Sequence, residues 1–232
     1  MMPEQQQLAK ILGVQFKDER LLTQALVHRS YLNEHDNFPV GHNERLEFLG
    51  DAVLELIVTE FLFLKYPDKA EGELTDWRAA LVNAKTLSQI AKEINLDNYL
   101  FLSRGESRET ASKGRQYILA DAMEALIGAI YLDQGWSVVQ RVITDLVLSK
   151  LDNIIENKLY LDPKSYFQER AQEAYSFTPR YEVLSSSGPD HEKTFEVGLY
   201  LDDRLVSTGH GMSKQEAQVD AAENGLKKEG WR

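Results

Sequence analysis

The apolar pattern of this chain changes period once, at Leu161-Asp162-Pro163, and that change constrains the fold more than any other feature. Before it, apolar residues recur at helical spacing, as in Leu21-Leu22-Ala25-Leu26, Leu46-Leu49-Val53-Leu54-Ile57 and Ile118-Ala122-Ala125-Leu126-Ala129. Turn signals separate these runs at Phe38-Pro39, Tyr66-Pro67-Asp68, Glu71-Gly72, Lys113-Gly114 and Gln134-Gly135, and period-2 runs bounded by hairpin turns are missing. Residues 1–158 therefore read as an all-α domain. After the change, one helical stretch from Lys164 to Tyr175 leads into alternation: Tyr181 and Val183, then Phe195, Val197, Leu199 and Leu201, then Leu205-Val206. Gly209 and Gly211 are expected to end that last strand. Ser213 with Glu216 three residues on forms a capping box that opens a final helix. Residues 164–232 read as a small α+β domain of order α-β-β-β-α, joined to the first by a linker at 159–163.

Composition narrows the function. The chain has no cysteine, so disulfides, a zinc knuckle and a thiolate nucleophile are excluded, and a reducing compartment is the simplest setting. The opening MMPEQQQLAK is polar and no apolar run is long enough to span a bilayer, so the expectation is a soluble cytoplasmic protein with no membrane partner. The formal net charge is −11, and both parts, divided at residue 160, carry more acid than base. Taken alone, that argues against a nucleic-acid partner.

The placement of the acids argues otherwise. In His42-Asn43-Glu44-Arg45-Leu46-Glu47-Phe48-Leu49-Gly50-Asp51, the acids Glu44, Glu47 and Asp51 fall at i, i+3 and i+7, on one face of a helix. Like charges at such spacing cost a few tenths of a kcal/mol per pair. A second apolar helix repeats the pattern with Asp121 and Glu124. Carboxylates among apolar residues are expensive to desolvate unless a cation offsets them. Hard oxygen ligands without His or Cys suit Mg²⁺ or Mn²⁺, and a pair of such ions is the arrangement that clamps the two oxygens of a phosphodiester displacement. Spacing alone leaves two readings open, a metal site and a pair of solvated helix faces.

The run from Asn43 to Leu54 resembles the signature of the ribonuclease III family. Ala25 to Tyr31, Glu71-Gly72 and Leu119 to Ala129 also resemble that family, in its order. The C-terminal unit resembles the double-stranded-RNA-binding domain carried by bacterial members. The resemblance implies a ribonuclease III endonuclease fold followed by that RNA-binding fold. It implies a homodimer that needs a divalent cation and no organic cofactor, and that cuts both strands of duplex RNA. Products would carry 5′-phosphate and 3′-hydroxyl ends with short 3′ overhangs, and substrates would include ribosomal RNA precursors and other structured transcripts. Glu47, Asp121 and Glu124 match the metal-binding carboxylates, and Asp51 matches the acid that is indispensable with Glu124. Glu44 and Glu71 match supporting acids, the latter thought to act from the other subunit. Phe48 resembles the residue that enters a socket on the partner, with an ordinary core aromatic as the other open reading. Gly50 sits mid-helix, where glycine costs up to about 1 kcal/mol; close approach of another backbone at the dimer seam and a merely tolerated glycine are both open readings, and the first places it at the dimer interface. A rival reading is a regulator that holds duplex RNA without cutting it.

In the C-terminal unit, Gln168 and Glu169 match minor-groove readers and His191 a loop residue reaching the next minor groove. Lys214 opens the last helix, where phosphate is received. The family commonly has consecutive basic residues there, whereas this chain has Lys214-Gln215 and then Gln218, a departure expected to weaken binding and flatten its salt dependence. Lys193, Lys227 and Lys228 are candidates to compensate. Arg104, Arg108, Lys113 and Arg115 read equally as a phosphate-guiding rim or a solvated loop. Glu55, one turn beyond Asp51, reads as solvated and His28 as a satisfied core histidine.

Overall fold

The computed structural model describes residues 3–108, 112–189 and 193–232. The chain forms two compact units, 1–154 and 155–232. In the first, the helices are α1 (Pro3–Ile11), α2 (Glu19–Ala25), α3 (Arg29–Leu32), α4 (Glu44–Lys65), α5 (Glu71–Val82), α6 (Ala84–Glu93), α7 (Arg104–Arg108), α8 (Lys113–Gln134) and α9 (Trp136–Leu146), and the chain leaves it through α10 (Leu151–Glu156), whose last two residues belong to the second unit. Two 3₁₀ turns, Leu96–Tyr99 and Leu148–Lys150, link them. One parallel bridge, Val27 to Phe101, is the β pairing among the described residues of this unit.

Helices α4 and α8 are the longest, each 22 residues, or about 33 Å at 1.5 Å per residue. Along α8, the residues from Ile118 to Ile130 are buried except Asp121 and Glu124, so this helix is the central member of the bundle. Ser112 caps it by accepting from the Arg115 N–H. Gly135, at φ 79°, ends it and turns the chain into α9. Asn43, 4% exposed, anchors the start of α4: its N–H donates to Val27 O and its carbonyl accepts from Leu46 and Glu47.

The second unit runs α11 (Pro163–Tyr175), β1 (Arg180–Ser187), β2 (Thr194–Leu201), β3 (Arg204–Gly211) and α12 (Lys214–Lys228). The strands form an antiparallel sheet in the order β1-β2-β3. Phe167, Leu199, Leu201, Val206 and Leu226 make its core with the alanines of the two helices. The capping box is present: Ser213 Oγ accepts from the Glu216 N–H, and the Glu216 carboxylate accepts from the Met212 N–H. Gly209 does not end the strand. It lies inside β3, and a Cβ there would sit 2.1 Å from Ala221 N, so the glycine is what lets α12 lie against the sheet. The Arg232 guanidinium donates to the carbonyls of Asn157, Lys158 and Leu161, holding that stretch within this unit.

Candidate active site and nucleic-acid interface

The acids of α4 and α8 face each other because two glycines let the helix backbones touch. A Cβ on Gly50 would lie 1.8 Å from Glu124 O, and one on Gly128 would lie 2.2 Å from Leu46 O. Each helix thus leaves a gap where the other passes. Glu47 and Asp51 flank the gap on α4; Asp121 and Glu124 lie in the two turns of α8 leading up to Gly128. The dimer-seam expectation for Gly50 is corrected here: the residue is buried, and the backbone that approaches it is the chain's own α8.

Carboxylate oxygens of Glu47, Asp121 and Glu124 come within 4.8 Å of one another. All three side chains are half-buried. Burial pushes the Glu124 carboxyl up to about 8, helped by the negative charges of Asp51, Asp121, Glu47 and Glu55. Burial also raises Glu47, with Asp121, Glu44 and Asp51 adding to it, and raises Asp121, with Glu44 adding. With burial and like charge both raising Glu47, Asp121 and Glu124, the cluster holds its protons more tightly than ordinary acids do. Three convergent hard oxygen donors in a partly desolvated position fit a divalent cation of the magnesium or manganese type.

Other acids stand around this group. Asp51 is exposed one turn from Glu47. Glu44 is exposed at the start of α4, with Arg29 Nη1 at 3.6 Å and His42 Nδ1 at 3.7 Å from its carboxylate. Glu71 is exposed at the start of α5 and accepts from Thr75 Oγ1 at 3.1 Å. Glu55 is solvated, as expected, yet its charge reaches Glu124. His28 serves the framework: it caps α3 by accepting from the Ser30 N–H, and burial lowers its pKa. Of the basic rim, Arg104, Arg108 and Lys113 are exposed, but Arg115 is 6% exposed and lies 2.5 Å from Asp97. Arg115 therefore ties α8 to the turn at Leu96–Tyr99 and offers no phosphate contact.

Phe48 is 80% exposed on α4, an unusual setting for a large aromatic. Phe63 and Leu64, near the far end of the same helix, are 67% and 70% exposed. Between them and α5 lies a mainly apolar groove of about 550 Å³, lined by Leu62, Phe63, Tyr66, Leu74 and Arg78, with Glu71 at its wall.

On the second unit, Ser165, Gln168, Glu169, Gln172 and Glu173 line an open polar groove along α11. Gln168 and Glu169 are exposed there, and Lys214 is exposed at the first position of α12. His191 lies outside the described residues. Of the proposed compensating lysines, Lys228 donates to Val206 O at 2.7 Å, and both Lys227 and Lys228 lie at the opposite end of α12 from Lys214. Lys193 rests over the Phe195 ring. Among the described residues, no helix is long and apolar enough to cross a membrane.

Sequence reasoning passed over two features. Gly128 gave no signal inside an apolar run, because only its meeting with Leu46 shows why a side chain is excluded. Lys164 donates to Gln218 Oε1 across the two helices of the second unit, a pairing that no local spacing reveals.

Both units of the chain match known proteins. Residues 18–151 match a family described as Ribonuclease-III-like, and residues 163–229 match the double-stranded RNA binding motif. The chain is 44% identical over 215 residues to a Ribonuclease 3 of Campylobacter fetus, covering 93% of each chain. It is 41% identical over 222 residues to a Ribonuclease 3 of Enterococcus faecalis, covering 95% of each. A solved nuclease domain of ribonuclease III from Campylobacter jejuni, described for flexibility in a region involved in its dimer formation, matches with 40% identity and a TM-score of 0.55. It covers 63% of this chain, and the match spans 97% of that domain.

Proposed function

The chain belongs to the ribonuclease III family, and from that membership we propose that it works as a homodimer hydrolysing both strands of duplex RNA at the cluster formed by Glu47, Asp51, Asp121 and Glu124. It is a ribonuclease that carries a double-stranded RNA binding motif. The observation that carries the site assignment is the convergence of three half-buried carboxylates whose pKa values are raised together. In this reading Glu47, Asp121 and Glu124 hold the cation, with Mg²⁺ the working ion and Mn²⁺ able to replace it. When bound, that cation supplies an activated water and offsets charge on the leaving oxygen. Asp51, beside the cluster and open to solvent, orients the attacking water with Glu124. Glu44 and Glu71 support the site from its margins. The residues 1–158 do the cutting, 164–232 hold the duplex and 159–163 join them.

The same reading assigns 5′-phosphate and 3′-hydroxyl ends with short 3′ overhangs, and cytoplasmic substrates that include ribosomal RNA precursors and other structured transcripts. Gln168, Glu169, His191 and Lys214 contact the duplex. Exposed Phe48 seats in the partner subunit, and the groove beside Phe63 and Leu74 is of a size and polarity to receive an aromatic ring.

Two assays test this. Long duplex RNA is incubated with the chain in Mg²⁺ and in EDTA, and the product ends are mapped. Cleavage is expected in Mg²⁺ alone, and Glu124→Gln is expected to abolish it while duplex binding persists. Cleavage by that variant near the wild-type rate would sink the assignment; binding with no cleavage by the wild type in Mg²⁺ would favour a non-cutting regulator.

A further inference from the structure

The surface that faces duplex RNA is short of cations where the last helix begins, since Gln215 follows Lys214 and Gln218 comes one turn later. Lys227 and Lys228 do not make up the shortfall. They lie about 20 Å along α12 from Lys214, at 1.5 Å per residue, and Lys228 is engaged with Val206 O. A cation does stand next to the first turns of α12, and it comes from the other helix. Lys164 Nζ donates to Gln218 Oε1 at 2.6 Å and lies 5.2 Å from the centre of the Tyr181 ring. Ring and amide together fix the position of a side chain that would otherwise sample many rotamers. One hydrogen bond leaves an ammonium two further donors.

The positions connect. Lys214 and Gln218 are at i and i+4 on α12, and Lys164 and Gln168 are at i and i+4 on α11, so each pair shares a helix face. The hydrogen bond from Lys164 to Gln218 joins the two faces into one polar line. It runs from the exposed lysine that opens α12 to the exposed glutamine in the α11 groove.

We propose that Lys164 is a phosphate-contacting residue of the duplex-RNA surface, held in position by Gln218 and supplying charge that Gln215 does not. Lys164 acts on the ligand and Gln218 is a positioning residue. The proposal rests on the reading of this chain as a binder of duplex RNA. A strut that merely ties α11 to α12 is the competing role, and salt dependence separates the two. A phosphate contact releases counterions on binding, whereas a strut does not.

The test uses the full chain in EDTA, so that RNA is not cut, with a duplex about twice the roughly 16 base pairs that one such domain spans. Affinity is measured between 50 and 200 mM salt for the wild type, Lys164→Gln, Lys164→Arg and Gln218→Lys, alongside thermal unfolding of each. Loss of one phosphate contact makes the slope of log affinity against log salt shallower by about 0.9, so the advantage of wild type over Lys164→Gln shrinks about 3.5-fold across that range. Lys164→Arg is expected to keep the wild-type slope. Gln218→Lys exchanges the positioning amide for a second ammonium at the same spot, so a steeper slope there shows only that the spot faces phosphate, and the role of Lys164 is read from Lys164→Gln. An unchanged slope in Lys164→Gln overturns the proposal, whether or not its affinity falls and its Tm drops. Failure of the wild type to bind duplex at all would remove the underlying reading, and this proposal with it.

Discussion

Glu124 keeps a proton at pH values where an ordinary glutamate has lost it. Its carboxyl is pushed from 4.5 to about 8, first by burial and then by its acidic neighbours. Below about pH 4.5 both folded and unfolded chains are protonated at this site, so it contributes nothing to the difference between them. Between there and about 8, the unfolded chain releases the proton while the folded chain retains it, so stability falls as pH rises. Glu47 and Asp121, also raised, act in the same direction. Metal-free protein is therefore expected to show a lower Tm at about pH 8 than at about pH 5.5 in thermal scans with EDTA. Mg²⁺ or Mn²⁺ should restore more Tm at the higher pH, because the cation displaces protons on binding. Glu124→Gln should flatten the pH dependence; a variant as pH-sensitive as the wild type would show that the effect arises elsewhere. The acids themselves were legible in the sequence as carboxylates at helical spacing among apolar residues. The influence of Glu55 was not, because its effect comes from the approach of a second helix rather than from its own neighbours.

Two glycines set how closely α4 and α8 approach. An alanine methyl at Gly50 would collide with the Glu124 carbonyl, so Gly50→Ala is expected to cost about 1–3 kcal/mol despite the better helix propensity of alanine. Gly128→Ala should behave likewise against Leu46 O. The double substitution should cost less than the sum, since helices already parted by one methyl have room for the other. Gly72 provides the contrast. It lies in the first turn of α5, where an added methyl would meet nothing within 4 Å, so Gly72→Ala should be neutral or stabilising by up to about 1 kcal/mol. Denaturant melts of the four variants check the set, and a Gly50→Ala as stable as the wild type would contradict it. Gly50 is legible in the sequence as a costly mid-helix glycine, but the backbone that excludes its side chain is not. The distance in sequence between the two helices hid the true neighbour. Helices, strands and the α-β-β-β-α order are legible, since each rests on local period and caps; Gly209 has the local look of a strand stop, and its actual reason, the approach of α12, is again non-local.

At the scale of the molecule, net charge is a poor guide to the partner. The chain is acidic in both parts, yet several acids of the first unit are gathered at one site, and the second unit has its own exposed polar groove along α11. A solvent-exposed Phe48 is hard to account for in a solitary chain. Phe48→Asp is expected to shift the protein toward monomer in sedimentation velocity and to lower double-strand cleavage, with α4 still helical by circular dichroism. Sedimentation identical to the wild type would separate Phe48 from assembly. The crossing of α4 and α8 carries a genetic consequence as well. In the proposed reading, cleavage needs the two rows of acids at one separation, and the packing of α4 on α8 needs the same two backbones in touch. Random mutagenesis scored for insoluble protein and random mutagenesis scored for uncut RNA should therefore converge on the same two codons, those of Gly50 and Gly128.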